Sequence, residues 1–454
     1  MSTLRQAIVV GAGISGLACA LRLVEMGVAV RVLEAAAQPG GMIATVERDG
    51  FLFEAGPQSF QMTPELRAFI RAANFEDELI EADPKTPRYV LLGGELRPAP
   101  MSPSALMSTS LLGMGSKVRL LSEALRRSKP PGHDESLADF VRRKFGTEIL
   151  EHLAGPFASG VFAGDPEKLS LRSTFPSVAQ WEEEYGSIVR GAMKPRGGSG
   201  ANTRPTLAGF KRGMGSFIGA LARKLGSNLK NDVRIDSLES ARNAGWSILA
   251  IGAGTVETLQ ADAVVLATPV YETARLVNKF AEGLSTMLSG IPYAPVAVVA
   301  EGYRREQVGH ALNGFGFLVP RKEGLRTLGT VWNSSLFPGR APEGMVLMTS
   351  FIGGAIDPRI LELNGEQIAS QVREEIGKVL QITGPPTGRH IWIHAKALPQ
   401  YNLGHAQRVR VIRDEIQNHR GIFIAGNYLE GPSVGSCISS GFRTAQSVLE
   451  HLSR

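Results

Sequence analysis

The feature that most restricts what this chain can fold into is a glycine turn near its start. Ala7 to Val10 is a short, β-branched apolar run that leads into Gly11-Ala12-Gly13-Ile14-Ser15-Gly16. A helical pattern follows from Leu17 to Met26, then a second strand pattern from Val28 to Leu33 and an acid, Glu34. Each part has a mechanical role: Gly11 permits the tight turn, Gly13 lets backbone approach a pyrophosphate, and Gly16 lets the helix lie close to the strand. The helix N-terminus then faces the anion. Glu34, followed by Ala35, closes the second strand, where a carboxylate accepts hydrogen bonds from an adenosine ribose and repels a 2′-phosphate. A lone Gly-x-Gly-x-x-Gly says little, but between two strands with the acid in place it reads as a dinucleotide-binding βαβ unit.

Two further segments favour FAD over a nicotinamide cofactor. The doublet Gly40-Gly41, then Met42, and the stretch Gly50 to Gly56-Pro57-Gln58-Ser59 offer backbone to pass under a pyrophosphate and a ribityl chain. Near the other end, the strand pattern Gly421 to Ala425 runs into Gly426-Asn427 and Gly431-Pro432-Ser433-Val434-Gly435, which opens a last helix. Such a helix N-terminus suits the electron-rich edge of a reduced flavin. A turn merely rich in small residues is the bland alternative for that segment.

Composition bounds the remaining possibilities. The 454 residues, 43% apolar and 20% charged, suit a globular protein of two or three domains. Lys plus Arg exceed Asp plus Glu by 49 against 43, an imbalance that a solvated surface accounts for and that gives no ground for a nucleic-acid partner. Cys19 and Cys437 have no CxxC spacing, so a reducing, cytoplasmic setting is expected. No leader and no transmembrane run is expected either, since glycines punctuate the apolar stretch Ala7 to Leu23.

Strand patterns give way to helical ones after residue 80 or so: Leu111 to Leu125, Ser136 to Phe145 and Glu148 to Leu153, ending near Pro156. Met193 to Pro205 reads as a linker or lid. Four short strands over Asp232–Asp236, Trp246–Ile251, Val256–Leu259 and Ala263–Ala267 suggest the cofactor sheet returning, with Val233 beside the adenine. Strand patterns from Val296 to Phe351 and a helix around Gly365 to Leu380 suggest a second sheet.

Beyond the broad flavin amine oxidase pattern, several segments resemble the protoporphyrinogen oxidase family: Arg88-Tyr89-Val90, Ser159 to Pro166, Gly314 to Pro320, Leu328-Gly329-Thr330, Phe337-Pro338, Phe351 to Gly354 and Pro399-Gln400-Tyr401. The matches run in order over nearly the whole chain. The resemblance implies an α/β fold: a Rossmann-like FAD-binding domain (1–84, 206–270, 391–454), a mixed-sheet substrate-binding domain (271–390) and an inserted helical domain (85–205). It also implies roles. Arg88 would anchor a substrate propionate, Phe351 would stack on one pyrrole ring with Leu318 and Val331 opposite, and Gly160 or Gly164 would allow close backbone approach. The flavin contacts would be Gly11 to Gly16, Glu34, Ala35, Gly41, Met42, Gly56 to Ser59, Val233, Gly426, Asn427 and Pro432 to Val434. Two departures stand out: Met42 offers no side-chain hydrogen bond where the family often has a large or basic residue, and Val331 is smaller than the usual leucine.

No Ser/His/Asp set, metal cluster or paired carboxylates can be read from the sequence, and His394 and His405 near Tyr401 read as structural histidines. The chemistry is therefore expected at FAD, with a porphyrinogen giving hydride equivalents from its meso carbons and dioxygen becoming hydrogen peroxide. Coproporphyrinogen is the nearest rival substrate. An amine oxidase is disfavoured because Tyr428 to Ser433 departs from the aromatic-cage motif, while a carotenoid desaturase or a non-catalytic FAD module stays open on fold alone. A homodimer is possible. Peripheral docking on the cytoplasmic face of a membrane is suggested by Met101, Leu106, Met107, Leu111 and Leu112, which precede eight basic and four acidic residues between Lys117 and Phe145.

Overall fold

A computed structural model describes residues 5–194, 206–241, 245–252 and 254–453. Ala7, Ile8 and Val9 are fully buried, as an apolar strand covered on both faces must be. Their strand, Gln6–Val10, occupies the middle of a five-stranded parallel sheet. Ala29–Leu33 and then Leu229–Lys230 lie on one side, Ala263–Leu266 and then Ile422–Ile424 on the other. The winding therefore reverses at the carboxyl end of Gln6–Val10, where open α/β sheets form a ligand crevice.

Helix Ile14–Glu25 covers this sheet together with the last helix, Val434–Leu452. A Cβ on Gly441 would overlap the Ser15 carbonyl oxygen and fall 3.0 Å from the Cys19 amide nitrogen, so the two helices meet backbone to backbone. Cys19 and Cys437 are free, buried thiols of this same core, and burial pushes both above the ordinary thiol pKa, Cys437 to about 11. The two ends of the sequence are thereby fixed side by side.

The return to this sheet is narrower than the strand pattern suggests. Only Leu229–Lys230 and Ala263–Leu266 join it. Val233–Ser240, Trp246–Gly252 and Thr255–Ala261 form their own antiparallel sheet, because short turns let neighbours in sequence pair with each other.

The second sheet is mixed, in the order Gly388–Pro399, Tyr293–Arg304, Met345–Gly353, Thr327–Val331, Gly316–Leu318, Tyr89–Leu92, Glu95–Pro98. Two expected boundaries change. Residues 89–98 do not begin the helical insertion, since Tyr89–Leu92 pairs in parallel with Gly316–Leu318. Residues 391–399 do not belong with the C-terminal part of the first domain, since Gly388–Pro399 runs antiparallel to Tyr293–Arg304. Both strands find partners far away in sequence, which local pattern cannot reveal. Helix Gly365–Leu380 stands where its periodicity placed it.

The insertion holds helices Pro103–Ser108, Met114–Leu125, Leu137–Lys144, Pro176–Tyr185 and Ile188–Met193 around a core that includes Leu112, Phe140, Leu150, Phe162 and Tyr401. Helical structure does not stop near Pro156. A π turn at Leu150–Ala154 leads without a break into helix Gly155–Phe162, and Pro156, which has no amide to continue an α ladder, lies directly after that turn. Met193 ends a helix, and the rest of the expected linker, 195–205, lies outside the described residues. Leu111 and Leu112 are 1% and 4% exposed and face inward, correcting their assignment to a docking surface. Helix Met114–Leu125 turns Met114, Val118, Leu121 and Leu125 outward instead, and its sole buried residue is Glu123.

Candidate active site

The crevice is built first from the glycine turn. A Cβ on Gly16 would overlap the Gly11 carbonyl oxygen, whereas one on Gly13 would meet nothing within 4 Å. Gly16 therefore serves packing, and Gly13 faces open space. Across from it, a Cβ on Gly41 would lie 3.7 Å from the Gly13 Cα, and Gly13 bridges Gly40 through the backbone. Ala12 and Ile14 are buried in the core beneath, and no side chain caps the Ile14–Glu25 helix, so its first-turn amides face the crevice. The Glu34 carboxylate is held at the end of its strand by the amides of Ala12 (2.6 Å) and Ala36 (2.9 Å), with Ala35 exposed between. Val233 donates its amide to the Glu34 carbonyl at 2.8 Å, which places it beside this acid.

The far end of the sequence closes the crevice. Ser433, after Pro432, caps the last helix by accepting from the Ser436 amide at 3.1 Å, and a Cβ on Gly435 would meet nothing within 4 Å. Gly426 donates its amide to Ser440 Oγ at 3.2 Å. Asn427 is held through its carbonyl by the Tyr401 hydroxyl and through Oδ1 by the Tyr293 hydroxyl at 3.4 Å. Backbone lines the crevice on three sides and one carboxylate marks its end, a donor set that fits a dinucleotide with a pyrophosphate in the middle.

The slot lies where the second sheet meets these loops. Leu318 and Phe351 each pair with Gly329, one from either side, so their side chains stand on one face of the sheet with no side chain between them. Strand spacing puts the two backbones about 10 Å apart, and Leu318 leans across Gly329 with its Cδ2 3.2 Å from where a Cβ on that glycine would stand. Val331, two residues on from Gly329, shares that face and pairs with Thr349. Met42 and Phe351 pack on one apolar cluster of Ala163, Ala294, Val296, Val298 and Ala397. Gly160 comes against Leu318, since a Cβ there would overlap Leu318 Cδ2, whereas Gly164 faces Leu169 and Gln400 instead. Of the two glycines, only Gly160 comes against this wall.

Arg88 precedes the strand that pairs with Gly316–Leu318, and its guanidinium lies over the Phe315 ring, 5.2 Å from the centroid. It is half-buried and makes no ion pair with any described residue, and burial lowers its pKa without removing its charge. A desolvated cation on an aromatic face without a carboxylate partner is poised for an anionic ligand.

The histidines supply no free base at this site. His405 stacks on Tyr401 at 4.4 Å, and burial lowers its pKa to about 4, so it is neutral at pH 7. His394 lies beside the Ala55–Gly56 loop, engaged through Nε2 at 3.0 Å from the Ala55 carbonyl oxygen. Among the described residues no group of three or more His, Cys, Asp or Glu could hold a metal ion. Sequence reasoning missed two side chains at the junction, Asn333 and Thr349, which reach toward Gln58. His394, read from the sequence as structural, ties the second sheet to the loop after Phe51–Glu54.

A model of the flavin-containing amine oxidoreductases matches residues 14–449, and the chain belongs to that family. Its cofactor is FAD, and it is an FAD-dependent oxidoreductase. Within the family it groups with the protoporphyrinogen oxidases: it is 35% identical to the chloroplastic protoporphyrinogen oxidase of Oryza sativa subsp. japonica, over 98% of this chain and 88% of that one. It is also 28% identical to the coproporphyrinogen III oxidase of Bacillus subtilis, over 99% and 98% of the two chains. In fold it is similar to a crystal structure from Exiguobacterium sp. 255-15 (TM-score 0.82, 23% identity, both chains covered in full). The cyclohexylamine oxidase of Brevibacterium oxydans shares the architecture as well (TM-score 0.70, 16% identity, both chains covered in full).

Proposed function

We propose that this enzyme oxidises protoporphyrinogen IX to protoporphyrin IX with dioxygen as acceptor, in haem biosynthesis. One observation carries the reading: a half-buried, unpaired Arg88 beside a slot walled by Leu318 and Phe351. Apolar walls of this kind suit a flat tetrapyrrole, and a planar guanidinium suits its propionate. The chloroplastic relatives that carry this name support the substrate.

When bound, FAD accepts hydride equivalents and passes them to dioxygen. Removing six hydrogens from the porphyrinogen consumes three dioxygen and yields three hydrogen peroxide. The protein's own part is to bind and orient. Gly11 to Gly16, Glu34, Ala35, Gly41, Met42, Gly56 to Ser59, Val233, Gly426, Asn427 and Pro432 to Val434 hold the dinucleotide. Arg88, Gly160, Leu318, Val331 and Phe351 hold the macrocycle. With no base needed, pyrrole protons leave to solvent.

The test is incubation of the purified flavoprotein in air with protoporphyrinogen and, separately, coproporphyrinogen, following porphyrin fluorescence and peroxide together. Three peroxide per protoporphyrin is the expected result. Turnover of coproporphyrinogen alone moves the substrate to the tetracarboxylate, and no porphyrin from either ends the reading.

A second reading concerns location. Among the described residues no helix is long and apolar enough to cross a membrane. Met114, Val118, Leu121 and Leu125 are nevertheless 74%, 59%, 56% and 86% exposed on one helix, with Lys117, Arg126, Arg127 and Lys129 close in sequence. An outward apolar stripe among cations suits peripheral docking on an anionic bilayer. Flotation with anionic vesicles tests it, and a wholly unbound protein removes it.

A further inference from the structure

A file of buried polar groups crosses from the second sheet to the loop after Phe51–Glu54. Thr349 Oγ1 donates to Asn333 Oδ1 at 2.8 Å, Asn333 Nδ2 donates to Gln58 Oε1 at 2.5 Å, and Gln58 Nε2 donates to the Gly56 carbonyl at 2.8 Å. Thr349, Asn333 and Gln58 are 0%, 4% and 6% exposed, so none of these bonds can be replaced by water. The direction of the file is forced. A carbonyl only accepts, so the Gln58 amide nitrogen must face Gly56. Its oxygen then faces Asn333, whose own oxygen must face the Thr349 hydroxyl. Any flip sets two acceptors or two donors against each other in a dry interior, which leaves buried groups without their hydrogen bonds.

The ends of the file are what give it meaning. Thr349 pairs with Val331 and lies two residues from Phe351, so one end is in the wall of the slot. Gly56 follows Ala55, whose carbonyl is within hydrogen-bond distance of His394, and a Cβ on Gly56 would overlap the Met42 carbonyl oxygen, so the other end is in the dinucleotide crevice. We propose that Asn333 is a positioning residue: the Thr349-Asn333-Gln58 file sets the spacing between the loop that holds FAD and the strand that holds the substrate. The proposal rests on the function argued above for the identity of the slot's ligand, though not for the file itself.

Reaction rates fall steeply with misplacement, about 100-fold for 1 Å. Asn333→Leu keeps shape but deletes both bonds, Thr349→Val deletes the first donor, and Thr349→Ser retains it. The expected result has three parts. Both deleting variants bind FAD stoichiometrically but shift the visible absorption and circular dichroism of the bound flavin. Asn333→Leu lowers the rate of anaerobic flavin reduction by protoporphyrinogen roughly 10- to 100-fold, with KM within about threefold. Thr349→Ser stays within about twofold of the parent.

An Asn333→Leu protein with the parental spectrum and reduction rate overturns the proposal, as does a change confined to KM. If Asn333→Leu does not fold, Thr349→Val decides alone, and parental behaviour there overturns it equally. The spectral comparison needs no substrate. A parent enzyme that no porphyrinogen reduces therefore defeats the proposed function and leaves the test of the file intact.

Discussion

The core around the glycine turn and the core of the helical insertion are held together by different forces. In the first, helices Ile14–Glu25 and Val434–Leu452 press Ala18, Leu17, Cys19, Cys437 and Ile438 together, with a glycine at the crossing. In the second, charge is buried. Glu182 accepts from Ser128 (2.7 Å), Arg143 (2.8 Å) and Lys144 (2.9 Å), while Glu123 accepts from Ser187 (2.8 Å), the amide of Ile188 (2.9 Å) and Lys144 (3.2 Å). The first core tolerates no added atom, and the second no lost charge. Close backbone packing suits a crevice that must hold one geometry. A charged core lets the Met114–Leu125 helix attach through Glu123 and keep its apolar stripe free.

The sharpest way to break this contrast is Gly16→Val, whose side chain would collide with the Gly11 carbonyl. A colourless protein with essentially no bound flavin is expected, read by visible absorbance of the purified material. Glu182→Gln should cost about 3–5 kcal/mol in denaturant unfolding, because Lys144 is left buried with weakened compensation, while flavin content stays near stoichiometric. Loss of flavin there would mean that the two cores are one. Arg88→Ala should weaken porphyrinogen affinity about 10- to 100-fold, the worth of a charged hydrogen bond, with the melting temperature unchanged.

The acid response separates the two cores further. The arginine and lysine around Glu182 hold its carboxyl at about 2, despite burial, and hydrogen bonds hold Glu123 below its ordinary value as well. A carboxyl depressed by folding contributes stability that is fully present above its unfolded pKa and is lost as pH falls through the folded one. The insertion should therefore weaken progressively from about pH 4.5 downward. Melting curves at stepped pH check this, and Glu182→Gln should flatten the slope. The smallest effect is expected from Leu125→Asp, within about 0.5 kcal/mol in stability because the side chain is already in water, yet with vesicle flotation lost.

What could be read from the sequence follows the same division. The glycine turn was legible because backbone approach demands glycine at fixed spacing and Glu34 at a strand end. Helix Gly365–Leu380 was legible because burial on one side writes a period. Strands Tyr89–Leu92 and Gly388–Pro399 were not, since the strands they pair with, Gly316–Leu318 and Tyr293–Arg304, are distant in sequence and leave no local mark. Asn333 and Thr349 were hidden for the same reason: a polar residue looks alike whether it faces solvent or a buried amide. The helical pattern over Leu111 to Leu125 was legible, but a pattern does not say which side faces in. Leu111 and Leu112, equally apolar, pack inward, the first against Val90 and Leu92 and the second into the core of the insertion.

The seating of the last helix against the first also bears on the order of events during synthesis. The turn that opens the nucleotide crevice leaves the ribosome long before Val434 and Gly441, which are separated from it by most of the 454 residues. Until then the face of the first helix that Gly441 covers, at Ser15 and Cys19, stands open. Closure of the crevice therefore waits for translation past the last helix, and a ribosome stalled at residue 420 would carry a polypeptide with one side of that crevice missing, a target for chaperones.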